Sequence, residues 1–382
     1  MITFLGCVQA QNLSSQRSFN SEIELLSHHY SPIILSRGEQ KVMVLAELQG
    51  RVMTSTSKGG EDKGYGWINY DYLSKPHTNV NASMGGADRL WFGPDASKFS
   101  LFFEPNTATI PDNIKVPAAV STVPFNVISK TDEQVVMAKA LTMKNYQGFN
   151  FEFDVERTIE LLSSAKLPIA LPDSLTWVAF KASTKVTNTS SLAWTKATGL
   201  FSIWDLGSFY PNEQTTIFIP LAKPLAKATR YFSDIKTSHT RIQGNVLFYK
   251  ADARYMNKTG VSPEHAKPMF GSYDAKRKLL TLIHFPITQQ TNVDYVNGIW
   301  RFDGDPFGGE IINIFNHGVG EDESTSGPFY ELETSSIALE LKPNESYQHY
   351  QTTLHIQGDE SALNLITQQV FGLTLAEITS AF

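Results

Sequence analysis

Between Phe151 and Leu161 the chain alternates: Phe151, Phe153, Val155, Ile159 and Leu161 hold the odd positions, and Glu152, Asp154, Glu156 and Glu160 hold even ones. A period of two puts one face in a core and the other in water, which an antiparallel strand does and a helix, with its period of 3.6, does not. Arg157 is the exception on the apolar parity. A buried guanidinium without partners is costly, so Arg157 either pairs with a carboxylate such as Glu333 or reaches into a cleft. Further strands are read at Val42 to Leu48, Val135 to Met143, Trp177 to Val186, Thr215 to Ile219, Val246 to Lys250, Leu279 to Phe285, Ile311 to Phe315, Tyr330 to Leu341 and Tyr347 to Ile356. Turn chemistry separates them, as at Asn188-Thr-Ser-Ser191 and Lys342-Pro-Asn344. Helical periodicity is confined to Ser21 to His28, with Ser21 as N-cap and Glu24 in the capping-box position, and to Ser361 through Ile378. Strands without alternating helices, without an internal repeat and without a dividing linker predict an all-β antiparallel sandwich occupying residues 12–382 as a single domain. The stretch containing Pro105, Pro111, Pro117 and Pro124 is expected to be its long surface loop.

Composition narrows the function classes. The 24 Phe, 14 Tyr and 6 Trp supply ample core material and rule out global disorder. No apolar run reaches the roughly 20 residues of a spanning helix, so no membrane span is expected. The net charge is -6 and the basic residues are scattered, which leaves no stripe for phosphates and disfavours nucleic acid as a partner. The single cysteine, Cys7, excludes an internal disulfide and a cysteine metal cluster. Residues 1–11 combine a short apolar stretch with Val8 and Ala10 placed as at the end of a secretory signal, so we expect a signal-peptide remnant and a periplasmic or extracellular protein. A phosphate-binding loop, a Gly-x-Ser-x-Gly elbow and a His-Glu-x-x-His motif are all absent. Asp303, Asp305 and Glu310 have the oxygen chemistry for Ca²⁺, but a solvated loop is the plainer reading, so neither metal nor cofactor is expected.

The C-terminal third carries Gly327-Pro-Phe-Tyr-Glu-Leu-Glu-Thr-Ser-Ser336 followed by Leu339-Glu-Leu-Lys-Pro-Asn-Glu-Ser-Tyr-Gln-His349 and the strand running to His355. These stretches resemble the galactose mutarotase-like (aldose 1-epimerase) superfamily, in which Leu-Glu-Thr on one strand precedes Leu-x-Pro-Gly-Glu-x-Tyr-x-His on the next. Gly85-Gly-Ala-Asp-Arg-Leu-Trp-Phe-Gly-Pro94 and Lys267-Pro-Met-Phe-Gly-Ser-Tyr-Asp274 are similar to a branch of uncharacterised secreted bacterial proteins. The resemblance implies a large antiparallel supersandwich with few short helices and a sugar, mono- or oligosaccharide, held in a concave cleft. In that superfamily a glutamate takes the anomeric proton while a histidine protonates the ring oxygen, and by position Glu333 would be the base. Glu331 shares its strand parity and competes for the role. No histidine stands in Thr198 to Gly207 or in Leu101 to Lys130, where the family's functional histidines would fall, so His317 is taken as the substitute acid.

Asp88, Arg89 and Trp91 suit a sugar, because charged side chains share hydrogen bonds with vicinal hydroxyls and an indole stacks on a pyranose face. Trp67 and Trp204 extend such a platform or belong to the core, and Arg157 is a further binding candidate. Glu310 with Glu333 is the carboxylate pair a glycoside hydrolase would need. Arg89 with Tyr330 or His317 is the set a polysaccharide lyase would need. Three classes follow: an epimerase-like or bond-cleaving enzyme, a non-catalytic carbohydrate binder, and a structural sandwich with no sugar site.

Overall fold

The computed structural model describes residues 17–73, 84–231, 233–288, 290, 292–300, 302–318 and 327–382; Cys7 and the suspected signal remnant lie outside the described residues. The alternating segment forms β7 (Asn150–Leu161), with its odd positions buried. It lies in a ten-stranded sheet whose order along the chain numbering is β11 (Thr240–Gln243), β12 (Val246–Lys250), β10 (Thr215–Pro220), β14 (Met269–Asp274), β15 (Leu279–His284), β18 (Ser346–Gln357), β8 (Thr176–Asn188), β7, β6 (Gln134–Lys144) and β5 (Asn126–Lys130). All nine pairings in it are antiparallel. A five-stranded sheet faces it, in the order β13 (Asn257–Val261), β16 (Ile312–His317), β17 (Phe329–Ser335), β9 (Ser202–Phe209) and β4 (Arg89–Gly93). A third sheet of β1 (Ile33–Arg37), β2 (Gln40–Leu45) and β3 (Arg51–Thr56) packs on β7 and β8 and joins the five-stranded layer through the Val52–Asp88 bridge.

The core lies between these layers. Val135, Val155, Ile217, Leu247 and Ile283 from the ten-stranded sheet meet Leu90, Phe92, Ile203, Ile314 and Leu332 from the five-stranded one. Each fully buried side chain of this size is worth about 1.5–3 kcal/mol relative to exposure, so the two apolar parities dictate the sandwich. The proline-rich stretch is a loop with two short turns, Pro111–Asn113 and Ala118–Val120, and it buries Phe102, Phe103, Val120 and Phe125 against the same core.

Local details depart from the sequence reading in five places. Helix α1 (Phe19–Ser27) starts earlier than expected, because Ser18 rather than Ser21 is the N-cap: its Oγ accepts from Ser21 N at 3.3 Å, and this start buries Phe19 completely. A single turn, α2 (Tyr70–Leu73), follows β3. The C-terminal helix is two helices, α3 (Glu360–Phe371) and α4 (Leu375–Thr379). Gly372 at φ 69° ends the first, and a Thr374–Glu377 capping box begins the second. Both pack Leu363, Ile366, Leu375 and Ile378 on the outer face of the ten-stranded sheet, against Phe218, Leu282 and Leu354. β2 ends at Leu45 in a short turn, and β17 ends at Ser335, after which Ser336 and Leu339 donate to Ile203 and Phe201 carbonyls. Asn344 sits at φ 67°, the left-handed region, at the position where the superfamily's motif has glycine.

Candidate functional site

Directly opposed residues in a sheet share a face. The pairs Arg89–Leu206 and Trp91–Trp204, Glu331–Ser208 and Glu333–Leu206, Asn313–Glu333 and His317–Phe329, and Lys258–Phe315 therefore place one set of side chains on the same side of the five-stranded sheet. That side points away from the sandwich core.

Glu333 is its centre. Lys258 Nζ donates to Glu333 Oε2 at 3.0 Å, and Trp204 Nε1 donates to the same oxygen at 2.9 Å. The ammonium also lies 4.1 Å from the Trp204 ring centre and 5.2 Å from that of Tyr231, so it is held by charge and by two aromatic faces. Glu333 is fully buried. Burial pushes its carboxyl up to about 7; Lys258 restrains that rise, and the nearby Glu331 charge adds to it. The second carboxyl oxygen, Oε1, has no hydrogen-bond partner among the described residues, nor do the buried Ser202 Oγ and Trp91 Nε1 on the same face. Buried polar atoms are normally satisfied, and leaving one unpaired costs about 1–3 kcal/mol, so an acceptor and donors in this state mark a place built for a polar guest or water.

Ser202, Trp204 and Lys258 line a cavity of about 20 Å³ together with Asp95, Tyr231, Glu310 and Asn313. That is room for about one water. Tyr231, in the connection from β10 to β11, closes one side of the cavity. From this segment Thr229 Oγ1 donates to Glu310 at 2.6 Å, and the Tyr231 hydroxyl reaches Glu310 at 3.0 Å and Asn313 Oδ1 as well. A phenol has one proton and cannot donate to both; turning the Asn313 amide so that its NH₂ faces Tyr231 satisfies all three groups. Thr259 Oγ1 on β13 anchors the segment through the Thr229 carbonyl at 2.7 Å. Burial raises the Glu310 carboxyl, with the Thr229 and Tyr231 hydrogen bonds opposing, and it raises Asp95 against the pull of Lys258.

Farther along the face, Arg89 Nη2 pairs with Glu331 Oε1 at 2.9 Å, Ser208 donates to that oxygen at 2.7 Å, and the guanidinium lies 4.4 Å over Trp91. His317 stacks on Phe329 with ring centres 4.6 Å apart, and burial lowers its pKa, with Glu331 opposing and Arg89 adding to the drop. His317 is four residues from Asn313, the residue opposite Glu333. At about 3.3 Å per residue that is roughly 13 Å of strand between the two backbone positions. Trp67 stacks on Phe329 at 4.5 Å in a small cluster with Phe315.

Asp88 and Arg157 lie elsewhere. Both are fully buried on the core side, where Arg157 bonds Thr184 Oγ1 on the neighbouring strand β8 at 2.7 Å and crosses between the sheets to Asp205 Oδ1 at 3.0 Å and to Asp88. Burial and then the Asp205 charge raise Asp88 to about 8, with Arg157 opposing. The inward turn of Arg157 expected from parity is present, but its partners are these two aspartates and not Glu333. Asp88 parts from Arg89 and Trp91 because consecutive strand residues point to opposite faces. Glu310 and Glu333 both belong to the Lys258 neighbourhood. Asp305 accepts from the Phe307 amide at 3.0 Å, and among the described residues no group of three or more His, Cys, Asp or Glu could hold a metal. Lys258, Tyr231, Asn313 and Asp95 escaped the sequence reading. β13 is only five residues long, too short for its pattern to announce a buried lysine.

Residues 17–382 match the model of DUF6786, a family of unknown function. No curated protein matches the chain. Among solved structures, a galactose mutarotase-like protein from Clostridium acetobutylicum is similar at 14% identity, covering 87% of this chain and 96% of its own, with a TM-score of 0.51. A galactose mutarotase-like protein from Lactobacillus casei gives 13%, 85%, 100% and 0.50 in the same order. A candidate aldose 1-epimerase from Escherichia coli K12 gives 13%, 86%, 99% and 0.51. At these identities the likeness establishes a galactose mutarotase-like fold.

Proposed function

Since the chain belongs to DUF6786, a family of unknown function built here on a galactose mutarotase-like fold, we propose that it binds an aldose on the outer face of the five-stranded sheet and opens and recloses the ring at the anomeric carbon. Glu333 is the base in this reading. The observation that carries it is the unpartnered Oε1 of a fully buried carboxylate whose other oxygen is fixed by Lys258 and Trp204. Fixing one oxygen orients the other, and a carboxyl raised to about 7 is ionised enough to accept a proton at neutral pH and basic enough to hold it. Ser202 Oγ and the Trp91 indole N–H supply further polar contacts for hydroxyl groups. A pyranose is far larger than a cavity of about 20 Å³, so binding requires Tyr231 and its segment to move aside.

The test is anomer interconversion of D-glucose and D-galactose, followed by NMR exchange, with sugar binding measured in parallel by thermal shift. Wild type should bind and interconvert; Glu333→Gln should bind and fail to interconvert. Binding without turnover in wild type would select instead a non-catalytic carbohydrate-binding protein, a reading favoured by the lack of a histidine beside Glu333 among the described residues.

A further inference from the structure

We propose that Lys258 delivers the proton to the ring oxygen, the part that histidine plays in the mutarotase-like superfamily; the inference rests on the reading of Glu333 as base. The two oxygens that must exchange protons, O1 and O5 of a pyranose, are bonded to the same carbon. Their acid and base must therefore stand close to one another, each within about 2.6–3.2 Å of its oxygen. Lys258 Nζ is 3.0 Å from Glu333 and lines the small cavity beside it, whereas His317 is displaced along the strand. The Tyr231 hydroxyl is engaged by Glu310 and Asn313, and a guanidinium such as that of Arg89 does not give up its proton. Glu333 is the one hydrogen-bonding acceptor of Lys258 Nζ among the described residues, and its remaining N–H bonds face the Trp204 and Tyr231 rings, from which a ligand oxygen would have to draw them.

The step balances. Glu333 takes the proton from O1, the C1–O5 bond breaks with its electron pair going to O5, and O5 takes a proton from Nζ, leaving an open-chain aldehyde, a neutral carboxylic acid and a neutral amine. Rotation about C1–C2 presents the other carbonyl face. Reclosure returns the O5 proton to Lys258 and the carboxyl proton to O1. Chemistry thus converts a buried ion pair into a neutral pair and back, and the side chains of Lys258 and Glu333 are 10% and 0% exposed. Low polarity lowers the cost of the neutral pair relative to the charged one, so burial helps the forward step.

The experiment measures anomer exchange of D-glucose and D-galactose and their binding in wild type, Glu333→Gln, Lys258→Met and Lys258→Arg. We expect Lys258→Met to bind sugar but lose exchange by at least about 100-fold, the usual worth of a positioned acid. Lys258→Arg should keep the ion pair and remain equally slow, because it cannot release a proton. Exchange retained in Lys258→Met, or restored by Lys258→Arg, would overturn the acid role and leave Glu333 as base intact. A wild type without sugar binding or exchange removes the underlying reading and this inference with it. Should Lys258→Met fail to fold, Lys258→Arg decides alone.

Discussion

Arg157 Nη1 on the ten-stranded sheet lies 3.0 Å from Asp205 Oδ1 on the facing sheet, and its other terminal nitrogen meets Asp88, so one guanidinium serves two carboxylates across the core. Gln351 completes the set by donating to Asp88 Oδ2 at 3.2 Å. Removing one member of a buried ion cluster leaves the rest uncompensated. Arg157→Met is predicted to cost about 3–5 kcal/mol in chemical denaturation, whereas the triple change Arg157→Met, Asp88→Asn and Asp205→Asn should recover part of that loss. A single variant within about 0.5 kcal/mol of wild type, the usual range of surface substitutions, would show that the cluster does not hold the sheets together.

The raised Glu333 pKa makes a prediction about rate. A general base works ionised, so kcat/KM for anomer exchange should fall as pH drops through about 7. Trp204→Phe removes a donor that stabilises the carboxylate and should move the midpoint higher. A pH profile with its acid limb at the ordinary glutamate value would remove Glu333 from that role.

Tyr231 offers a different handle. Tyr231→Phe strips the hydroxyl from Glu310 and Asn313, and the groups left behind should cost about 1–3 kcal/mol of stability in urea unfolding. Tyr231→Ala empties the space beside Lys258 and should speed sugar association in stopped-flow measurements. Unchanged association would mean that Tyr231 does not bar entry.

Two buried histidines shape acid stability. Burial holds His349 down to about 4 and His355 to about 3, so both stay neutral in the fold while the unfolded chain protonates near 6.5. The stability they contribute is complete above the unfolded value and is lost as pH falls from there toward the folded values. Glu22, raised by burial to about 7, works in the opposite sense, weakening the fold as pH rises from about 4.5 to 7. His355→Gln should flatten the slope of unfolding free energy between pH 6 and 5 by about one proton, roughly 1.4 kcal/mol per pH unit. An identical slope would mean that His355 already titrates normally in the fold.

Much of this molecule was legible in advance wherever a strand was long and half-buried. The parity of β7 announced both its core face and the inward turn of Arg157, and Glu331 and Glu333 do share a face. What parity does not carry is the identity of a partner across a sandwich. Asp205 and Asp88 lie 48 and 69 residues from Arg157, and nothing in the spacing picks them over Glu333. The grouping of Asp88 with Arg89 and Trp91 overlooked a signal that was present, since neighbouring residues of an extended segment face opposite ways. Lys258 and Tyr231 were invisible for another reason. One sits in a five-residue strand buried on both sides, the other in a connection without periodicity, and each acquires its role only when distant segments meet.

Strand β17 is read twice, once from each side. Its odd members Glu331 and Glu333 belong to the outer cluster, while Thr334 between them and Ser335 turns inward, with its hydroxyl 3.0 Å from His349 Nε2 and 2.9 Å from Gln351 Oε1. The strand is therefore phase-locked. Loss or gain of one residue within Phe329–Ser335 would not weaken one contact but exchange the two programmes, sending carboxylates into the core and the threonine outward. Sequences that keep this site can drift in length on either side of β17, but not inside it.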